Sequence, residues 1–328
     1  MDYLRFIKIA PVGFESLGVR SMCTYVETPD IKVLLDAGAS LCPNRYGLPP
    51  HPKEYKALKE CRRQMLNLAE RAEVITVSHY HFDHHTPSFT DWVNHWSSAE
   101  TAEKIYMKKI VFAKNYKSNI NASQRQRGWM FYKTSGKKAQ KFEFADSRVF
   151  KFKDTTIKFS DPVFHGEKFS GLGWVLMTVI QYEREKIVFA PDVQGPMYNE
   201  TAAFIIKEKP ELVIVGGPPI YLAQYKANPK NIKLAIRNLE SIAENVQTII
   251  LDHHILRDEH WIKIVQPAID KASIFGHQIL TAAEYAGLEN NLIEAHRKNL
   301  YEVEPPSTQF MKWTKMPLKE RKYFEPPI

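Results

Sequence analysis

Hydrophobic and polar positions follow two different periods along the chain. Short runs of β-branched and other apolar residues end abruptly at polar residues, a pattern typical of buried strands. Longer stretches carry apolar residues at helical spacing, as at Leu58, Cys61 and Met65. Helices are predicted over Lys53–Ala72, Asn228–Asn245, Asp258–Ala272 and His277–Leu288, with a helical piece between Pro87 and Ile105. Strands are predicted over Phe6–Val12, Met22–Glu27, Ile31–Leu35, Val74–Val77, Val149–Phe152, Thr156–Phe159, Trp174–Ile180, Ile187–Ala190, Leu212–Val215 and Thr248–Leu251.

The predicted strands fall into two groups, and each group is followed by helices. This order predicts an α+β fold with two packed mixed sheets and helices outside, a four-layer αββα sandwich. We expect residues 1–300 to form one domain. Within it, Lys104–Lys158 is interpreted as a basic insertion, with helix and loop over the site at residues 110–150. Residues 301–328 are interpreted as an irregular arm that packs on the body or on a second subunit.

The strand Val74–Val77 runs directly into a cluster of imidazoles and one carboxylate. His79, His81, Asp83, His84 and His85 lie within seven residues. So many imidazoles would repel one another if protonated, and buried without partners they would leave polar nitrogens unsatisfied. A bound cation removes both problems, because neutral imidazole and carboxylate are natural metal ligands. The spacing could supply two metals, with one pair of ligands for each.

Three later apolar segments also end at candidate ligands. They are His165, Asp192 and the pair His253/His254. Loops at one edge of a layered sheet fold converge in space even when they are distant in sequence. The site therefore has enough nitrogen and oxygen donors for two metal ions. Zinc is the default expectation, and iron or manganese would suit the same ligand types.

The sequence His-x-His-x-Asp-His after an apolar strand resembles the signature of the metallo-β-lactamase superfamily. The resemblance extends from the N-terminal strands to the 253–254 pair, and the chain as a whole is similar to an uncharacterised archaeal branch. It implies a first metal held by His79, His81 and His165, a second held by Asp83, His84 and a terminal histidine, and Asp192 bridging them. His253 is favoured over His254 as that ligand, and Asp36 is expected to brace the metal loops.

The composition shows an uneven distribution of charge, and the cysteines indicate the redox environment. The net charge is +8, and Lys104–Lys158 holds 15 Lys/Arg against 3 Asp/Glu. Such a field attracts phosphates or polyanions, although a solvated basic surface would look the same. The three cysteines lack metal-binding spacing and fit a reducing cytoplasm, and no apolar run approaches the ~20 residues that span a bilayer.

Three functions remain open at this stage. The first is a hydrolase of a small ester, thioester or phosphoester, in which a hydroxide bridging two metal ions attacks and Asp83 orients it. Its candidate substrate contacts are Ser16, Arg20, Tyr80, His254, Arg257 and the loop 217–219. The second is a nuclease that uses the basic segment as its groove, and the third is a metal-binding scaffold. A serine hydrolase is disfavoured because the chain lacks Gly-x-Ser-x-Gly.

Overall fold

Two β-sheets form the centre of the protein. The computed structural model describes residues 4–168, 171–223 and 228–328. The first sheet has strand order β1-β2-β3-β4-β5-β6, antiparallel from β1 to β3 and parallel from β3 to β6. Its strands are β1 (Lys8–Phe14), β2 (Met22–Glu27), β3 (Lys32–Leu35), β4 (Val74–Val77), β5 (Ile110–Ala113) and β6 (Lys141–Phe144).

The second sheet has seven strands in the order β15-β14-β13-β12-β11-β8-β7. Strands β12 to β15 are parallel neighbours, and β7, β8, β11 and β12 pair antiparallel. Its strands are β7 (Val149–Phe152), β8 (Thr155–Phe159), β11 (Thr178–Tyr182), β12 (Glu185–Ala190), β13 (Leu212–Gly216), β14 (Thr248–Asp252) and β15 (Gln278–Leu280). The short strands β9 (Val163–Phe164) and β10 (Trp174–Val175) pair separately.

Helices cover the outer face of each sheet. They are α1 (Pro52–Arg71), α2 (Ala99–Tyr106), α3 (Ala122–Phe131), α4 (Asn199–Glu208), α5 (Pro229–Asn245), α6 (Trp261–Ile274), α7 (Ala282–Tyr285), α8 (Arg297–Val303), α9 (Thr308–Thr314) and α10 (Leu318–Arg321). The residues at the start of α1 explain why the helix begins at Pro52. His51 and Glu54 form a capping box around Pro52, the first helical residue, whose missing N–H costs nothing at that position. No described helix has the length and apolar character needed to cross a membrane.

Three apolar cores separate four layers. One core packs α1, α2 and α3 on the first sheet through residues such as Leu58 and Ile75. A second packs α4, α5 and α6 on the other sheet through residues such as Leu239 and Val213. The third lies between the sheets, where residues including Phe112 interdigitate with the opposite face. The predicted αββα sandwich is confirmed.

Several local predictions were wrong. Lys104–Lys158 is not an insertion, because it supplies β5 and β6 to the first sheet and β7 and β8 to the second. Residues 87–98 are turns and isolated bridges, so the helix there begins only at Ala99. The predicted helix over His277–Leu288 is strand β15 followed by the single turn of α7. Short segments of this kind take their conformation from the neighbours that they pair with.

The C-terminal segment is helical and packs on the body. The arm that was predicted to be irregular contains α9 and α10. The last residues of α8 also extend past residue 301 into it. Phe310 and Trp313 are buried, and both rings contact Tyr55 of α1 at centroid distances of 5.8 and 5.5 Å. These contacts tie the end of the chain to the helical layer of the first sheet.

Candidate metal centre

The predicted ligands meet at the edge where the parallel strands β4, β12 and β14 end. His79, His81, Asp83 and His84 follow β4, Asp192 follows β12, and His253 follows β14. His165 comes one residue after β9. Asp192 and His253 have φ values of 51° and 68°, a left-handed conformation that non-glycine residues rarely adopt. The chain therefore bends sharply at two of these strand ends, and strain of this kind is typical of functional sites.

Asp192 lies at the centre of the cluster. Its Oδ2 is 2.7 Å from Nε2 of His165, 3.1 Å from Nε2 of His79 and 3.3 Å from Nε2 of His84. Its Oδ1 is 2.7 Å from Nε2 of His253. Nδ1 of His81 and Nε2 of His254 are each 3.8 Å from the carboxylate. Histidines that follow strands of both sheets thus cluster around one carboxylate.

The donor atoms of the described residues form several compact groups. His79, His81, His165 and Asp192 place one ligand atom each within 4.8 Å of one another, as do Asp83, His84 and His253. Two further groups are Asp36 with His79 and His84, and Asp192 with His253 and His254. The first two groups match the two half-sites that the resemblance implies. We call them the first half-site (His79, His81, His165) and the second half-site (Asp83, His84, His253), with Asp192 between them.

Each half-site is oriented from behind by hydrogen bonds to the opposite ring nitrogens. In the second half-site, Nδ1 of His84 is 2.8 Å from Asp36 and Nδ1 of His253 is 2.8 Å from Glu15. Such bonds fix the tautomer and leave Nε2 as the atom that faces the cluster. Asp36 also accepts hydrogen bonds from the backbone and side chain of Ser78, so the predicted bracing of the metal loop is observed.

The first half-site is oriented by a hydroxyl and two amides. Ser78 Oγ lies 3.0 Å from Nδ1 of His79. Gln124 Nε2 lies 3.4 Å from Nε2 of His81, and Gln194 Nε2 lies 3.5 Å from Nδ1 of His165. Neither glutamine nor Glu15 was predicted, because each lies in no recognisable motif and far along the chain from the histidine that it contacts.

Burial and mutual charge set the ionisation of the cluster. Burial lowers the pKa of His79 and of His81, which favours the neutral imidazole. Burial opposes the ionised forms of Asp83 and Asp192, but the neighbouring imidazoles lower the pKa of both carboxyls. Burial also opposes a charge on His253, yet Glu15 and Asp192 raise its pKa to about 9.

The residues present fit a metal centre. Nε2 of His84, Nε2 of His253 and both carboxylate oxygens of Asp192 are buried, and although they lie as close as 2.7 Å to one another, none of them makes a hydrogen bond of suitable geometry among the described residues. Unsatisfied buried polar atoms of this kind are costly, and here they converge on a common point. A divalent cation between them would satisfy nitrogen and carboxylate donors together. Gly38 allows the loop to lie so close, since a Cβ there would come within 2.2 Å of the His85 backbone nitrogen.

A cavity of about 450 Å³ opens onto the cluster. Four residues of the cluster line it, namely His81, Asp83, His165 and Asp192. Three of the predicted substrate contacts line its walls, namely Arg20, His254 and Arg257. Pro219 of the predicted loop also lines it, together with Gln194, Tyr221 and Leu222.

Tyr80 and Ser16 are corrections to the predicted substrate contacts. Tyr80 is fully buried, and its hydroxyl donates to the backbone carbonyl of Lys114. Its ring packs under α3 where Gly128 leaves room for it. Ser16 is also fully buried and accepts a hydrogen bond from the Ala283 backbone. Alternation explains the error for Tyr80, because it lies between His79 and His81 and so points to the opposite face.

The αββα fold and the His-x-His-x-Asp-His loop at its strand ends are the features that the resemblance to the metallo-β-lactamase superfamily implies. More narrowly, the chain belongs to the UPF0282 family of archaeal proteins. It is 40% identical over 294 residues to the UPF0282 protein of Methanopyrus kandleri, covering 90% of this chain and 99% of that one. The corresponding protein of Korarchaeum cryptofilum is 39% identical over 299 residues, covering 91% and 96%. No family model matches the sequence.

Solved structures with similar folds are distant in sequence. Unliganded yeast PDE1 superposes with a TM-score of 0.48 at 12% identity, covering 85% of this chain and 98% of that one. Zn²⁺-bound PqqB from Methylobacterium extorquens gives a TM-score of 0.45 at 11% identity, covering 83% and 97%. The short form of human tRNase Z gives 0.42 at 11% identity, covering 75% and 91%.

Proposed function

We propose that this protein is a metal-dependent hydrolase of a small ester, thioester or phosphoester. His79, His81 and His165 would hold one divalent cation and Asp83, His84 and His253 a second, with Asp192 between the two. The convergence of imidazoles from both sheets on the two oxygens of Asp192 is the observation that supports this proposal most strongly. Zinc suits the nitrogen and oxygen donors best, and iron or manganese would use the same set.

Asp83 has the position and ionisation of a water-orienting group. When bound, two divalent cations supply Lewis acidity and bring the pKa of a water molecule from about 16 toward 7. The Asp83 carboxylate borders the cavity, and in the metal-free protein the imidazoles of His84 and His253 lower its pKa. It can therefore accept a hydrogen bond from the attacking water. The water oxygen bonds to carbon or phosphorus, the bond to the leaving oxygen or sulfur breaks, and the leaving group takes the proton.

The cavity favours a small substrate. Its volume of about 450 Å³ lies in the range that holds a small organic molecule. Many cations of the basic segment are engaged elsewhere, which weakens the case for a polyanion groove. Those paired with carboxylates are Lys104, Lys114, Lys138, Lys141, Arg148 and Lys158.

Elemental analysis combined with a substrate screen tests the proposal. The purified protein should retain about two equivalents of metal. It should cleave at least one p-nitrophenyl ester, thioester or phosphodiester. Asp83→Ala should abolish turnover while the far-ultraviolet circular dichroism stays unchanged. Asp154→Ala, at an exposed turn between β7 and β8, serves as the matched control. Retention of turnover in Asp83→Ala would rule out the role, and a protein that never retains metal would favour a scaffold.

A nuclease is the second candidate, because one basic and aromatic surface lies next to the site. Tyr116 and Lys117, in the loop before α3, line an open groove together with Arg125 and the half-exposed Trp129 of α3. On the buried side of the same helix, Gln124 contacts His81. Exposed rings beside cations are the features on which single-stranded nucleic acid stacks.

Salt dependence separates the two candidates. A nuclease would bind single-stranded RNA or DNA with an affinity that falls steeply between about 50 and 200 mM salt. Trp129→Ala and Arg125→Ala would each weaken that binding, and Lys151→Ala, on the remote strand β7, would not. Activity on p-nitrophenyl substrates without nucleic-acid binding would support the small-substrate hydrolase.

A further inference from the structure

We propose that Arg20 and Arg257 form a subsite for an anionic group of the substrate, a phosphate or a carboxylate, at the wall of the active cavity. This inference rests on the proposed function, because it assigns the class of substrate that the same cavity takes. Both arginines line the cavity that opens onto His81, Asp83 and Asp192. A substrate could therefore place its scissile bond at the metal half-sites and its anionic group against the arginines.

Each arginine is held in a fixed orientation by one buried carboxylate. Arg20 donates from Nε and Nη2 to Glu294, with both distances 2.6 Å. Arg257 donates from Nε to Glu15 at 2.7 Å and from Nη1 to the Tyr221 hydroxyl at 3.2 Å. Preorganised guanidinium forks of this kind bind planar carboxylates and phosphates in two-point contacts.

A third buried arginine shows what a purely structural pair looks like in this fold. Arg297 binds Glu54 through Nε and Nη2, in the same fork as Arg20 and Glu294. Nη1 and Nη2 also donate to the backbone carbonyls of Leu48 and Cys42, so four of the five N–H groups are engaged. The partners of Arg297 are thus a carboxylate and two carbonyls of the protein itself, and Arg297 does not line the active cavity.

The cavity arginines keep donors in reserve. Among the residues that the structure describes, no hydrogen bond engages Nη1 of Arg20. Nη2 of Arg257 is ion-paired with Glu15 at 2.6 Å, whereas its Nη1 uses one of two N–H groups, toward the Tyr221 hydroxyl. Tyr221 accepts that bond, no described residue accepts from its O–H, and Tyr221 also lines the cavity. These donors would contact an anion directly.

Glu15 connects this subsite to the metal centre. One of its oxygens accepts from Arg257 and the other lies 2.8 Å from Nδ1 of His253. The distance between the anion donors and the second half-site is therefore fixed by a single buried side chain. A fixed distance selects substrates by the separation between their anionic group and the bond that is cleaved.

Titration calorimetry with inorganic phosphate and, separately, succinate tests the subsite on the protein as purified. We expect Arg257→Lys and Arg20→Lys to bind the better of the two anions about tenfold more weakly, since lysine loses the fork. Tyr221→Phe, a milder change that should fold normally, should weaken it by a smaller factor. Arg297→Lys should lower the melting temperature but leave anion affinity unchanged. The tighter of the two anions identifies the substrate's group as phosphate or carboxylate.

The metal content of every variant distinguishes this inference from the proposed function. Equal anion affinities in Arg257→Lys, Arg20→Lys and wild type would overturn the subsite, even if the protein holds two metals and hydrolyses a substrate. Conversely, arginine-dependent anion binding in a protein that retains no metal would support the subsite and contradict the hydrolase. The same loss in Arg297→Lys as in Arg257→Lys would also overturn it, because the effect would then be structural.

Discussion

The two half-sites differ in what stands behind their histidines. His84 and His253 of the second half-site are backed by the carboxylates of Asp36 and Glu15. His79, His81 and His165 of the first lie beside the Ser78 hydroxyl and the amides of Gln124 and Gln194. A carboxylate behind an imidazole makes it a stronger ligand and also a stronger base. The second half-site should therefore bind metal more tightly, and in closer competition with protons.

Removal of the shared carboxylate should have the largest effect, because it destroys both half-sites at once. In Asp192→Asn, an amide N–H₂ replaces an oxygen that faces imidazole nitrogens in either rotamer. We expect metal content to fall below one equivalent and kcat/KM to fall about a thousandfold or more. Asp154→Asn controls for the loss of one negative charge. Two equivalents of metal in Asp192→Asn, with normal turnover, would show that Asp192 is not part of the centre.

Changes behind the ligands test the comparison itself. Glu15→Gln and Asp36→Asn should each lower the affinity of one metal equivalent by about 10–100-fold. Gln124→Ala and Gln194→Ala should affect the other equivalent by a smaller factor. Competition with a chromophoric chelator measures the two equivalents separately. If all four variants lose the same affinity for the same equivalent, the half-sites are not distinct.

Protons should compete with metal mainly at the second half-site. Glu15 and Asp192 raise the pKa of His253 from 6.5 to about 9. In metal-free protein its protonated ring thus contributes stability that is fully present below pH 6.5 and is lost as pH rises through 9. A metal must displace that proton, so metal affinity should rise with pH across this window. Calorimetry in buffers of different ionisation enthalpy should show proton release at pH 7, and less of it in Glu15→Gln.

The sequence was sufficient to predict the αββα layers and, in one local segment, four residues of the cluster. His79, His81, Asp83 and His84 are contiguous with an apolar strand, so their spacing carries the information locally. The order of buried strands and amphipathic helices along the chain likewise predicts the order of the layers. His165, Asp192 and His253 were placed by family resemblance, and the structure brings them to the same cluster.

What the sequence could not supply depends on contacts between distant segments. Glu15 and His253 are 238 residues apart, and Arg20 and Glu294 are 274 apart. Neither pair leaves a local pattern. Strands β5 and β6 were missed because four-residue strands in a basic segment have too few positions to show a period, and they are fixed by pairing with β4. Whether this segment forms an insertion or part of the sheet therefore depends on tertiary pairing and not on its local sequence.

The smallest expected effect concerns Tyr80, which lies between two ligands of the first half-site. Its buried hydroxyl donates to the Lys114 carbonyl. Its ring packs against α3 at Gly128, and its backbone N–H donates to Gln124 of the same helix. Tyr80→Phe should cost about 1 kcal/mol of unfolding free energy, because one buried hydrogen bond is lost. Metal content and KM should stay at wild-type values, since the hydroxyl faces away from the cavity. Chemical denaturation and steady-state kinetics measure the two quantities. A raised KM with unchanged stability would restore Tyr80 as a substrate contact. The cavity would then have to reach the Tyr80 hydroxyl, which the structure buries against the Lys114 carbonyl.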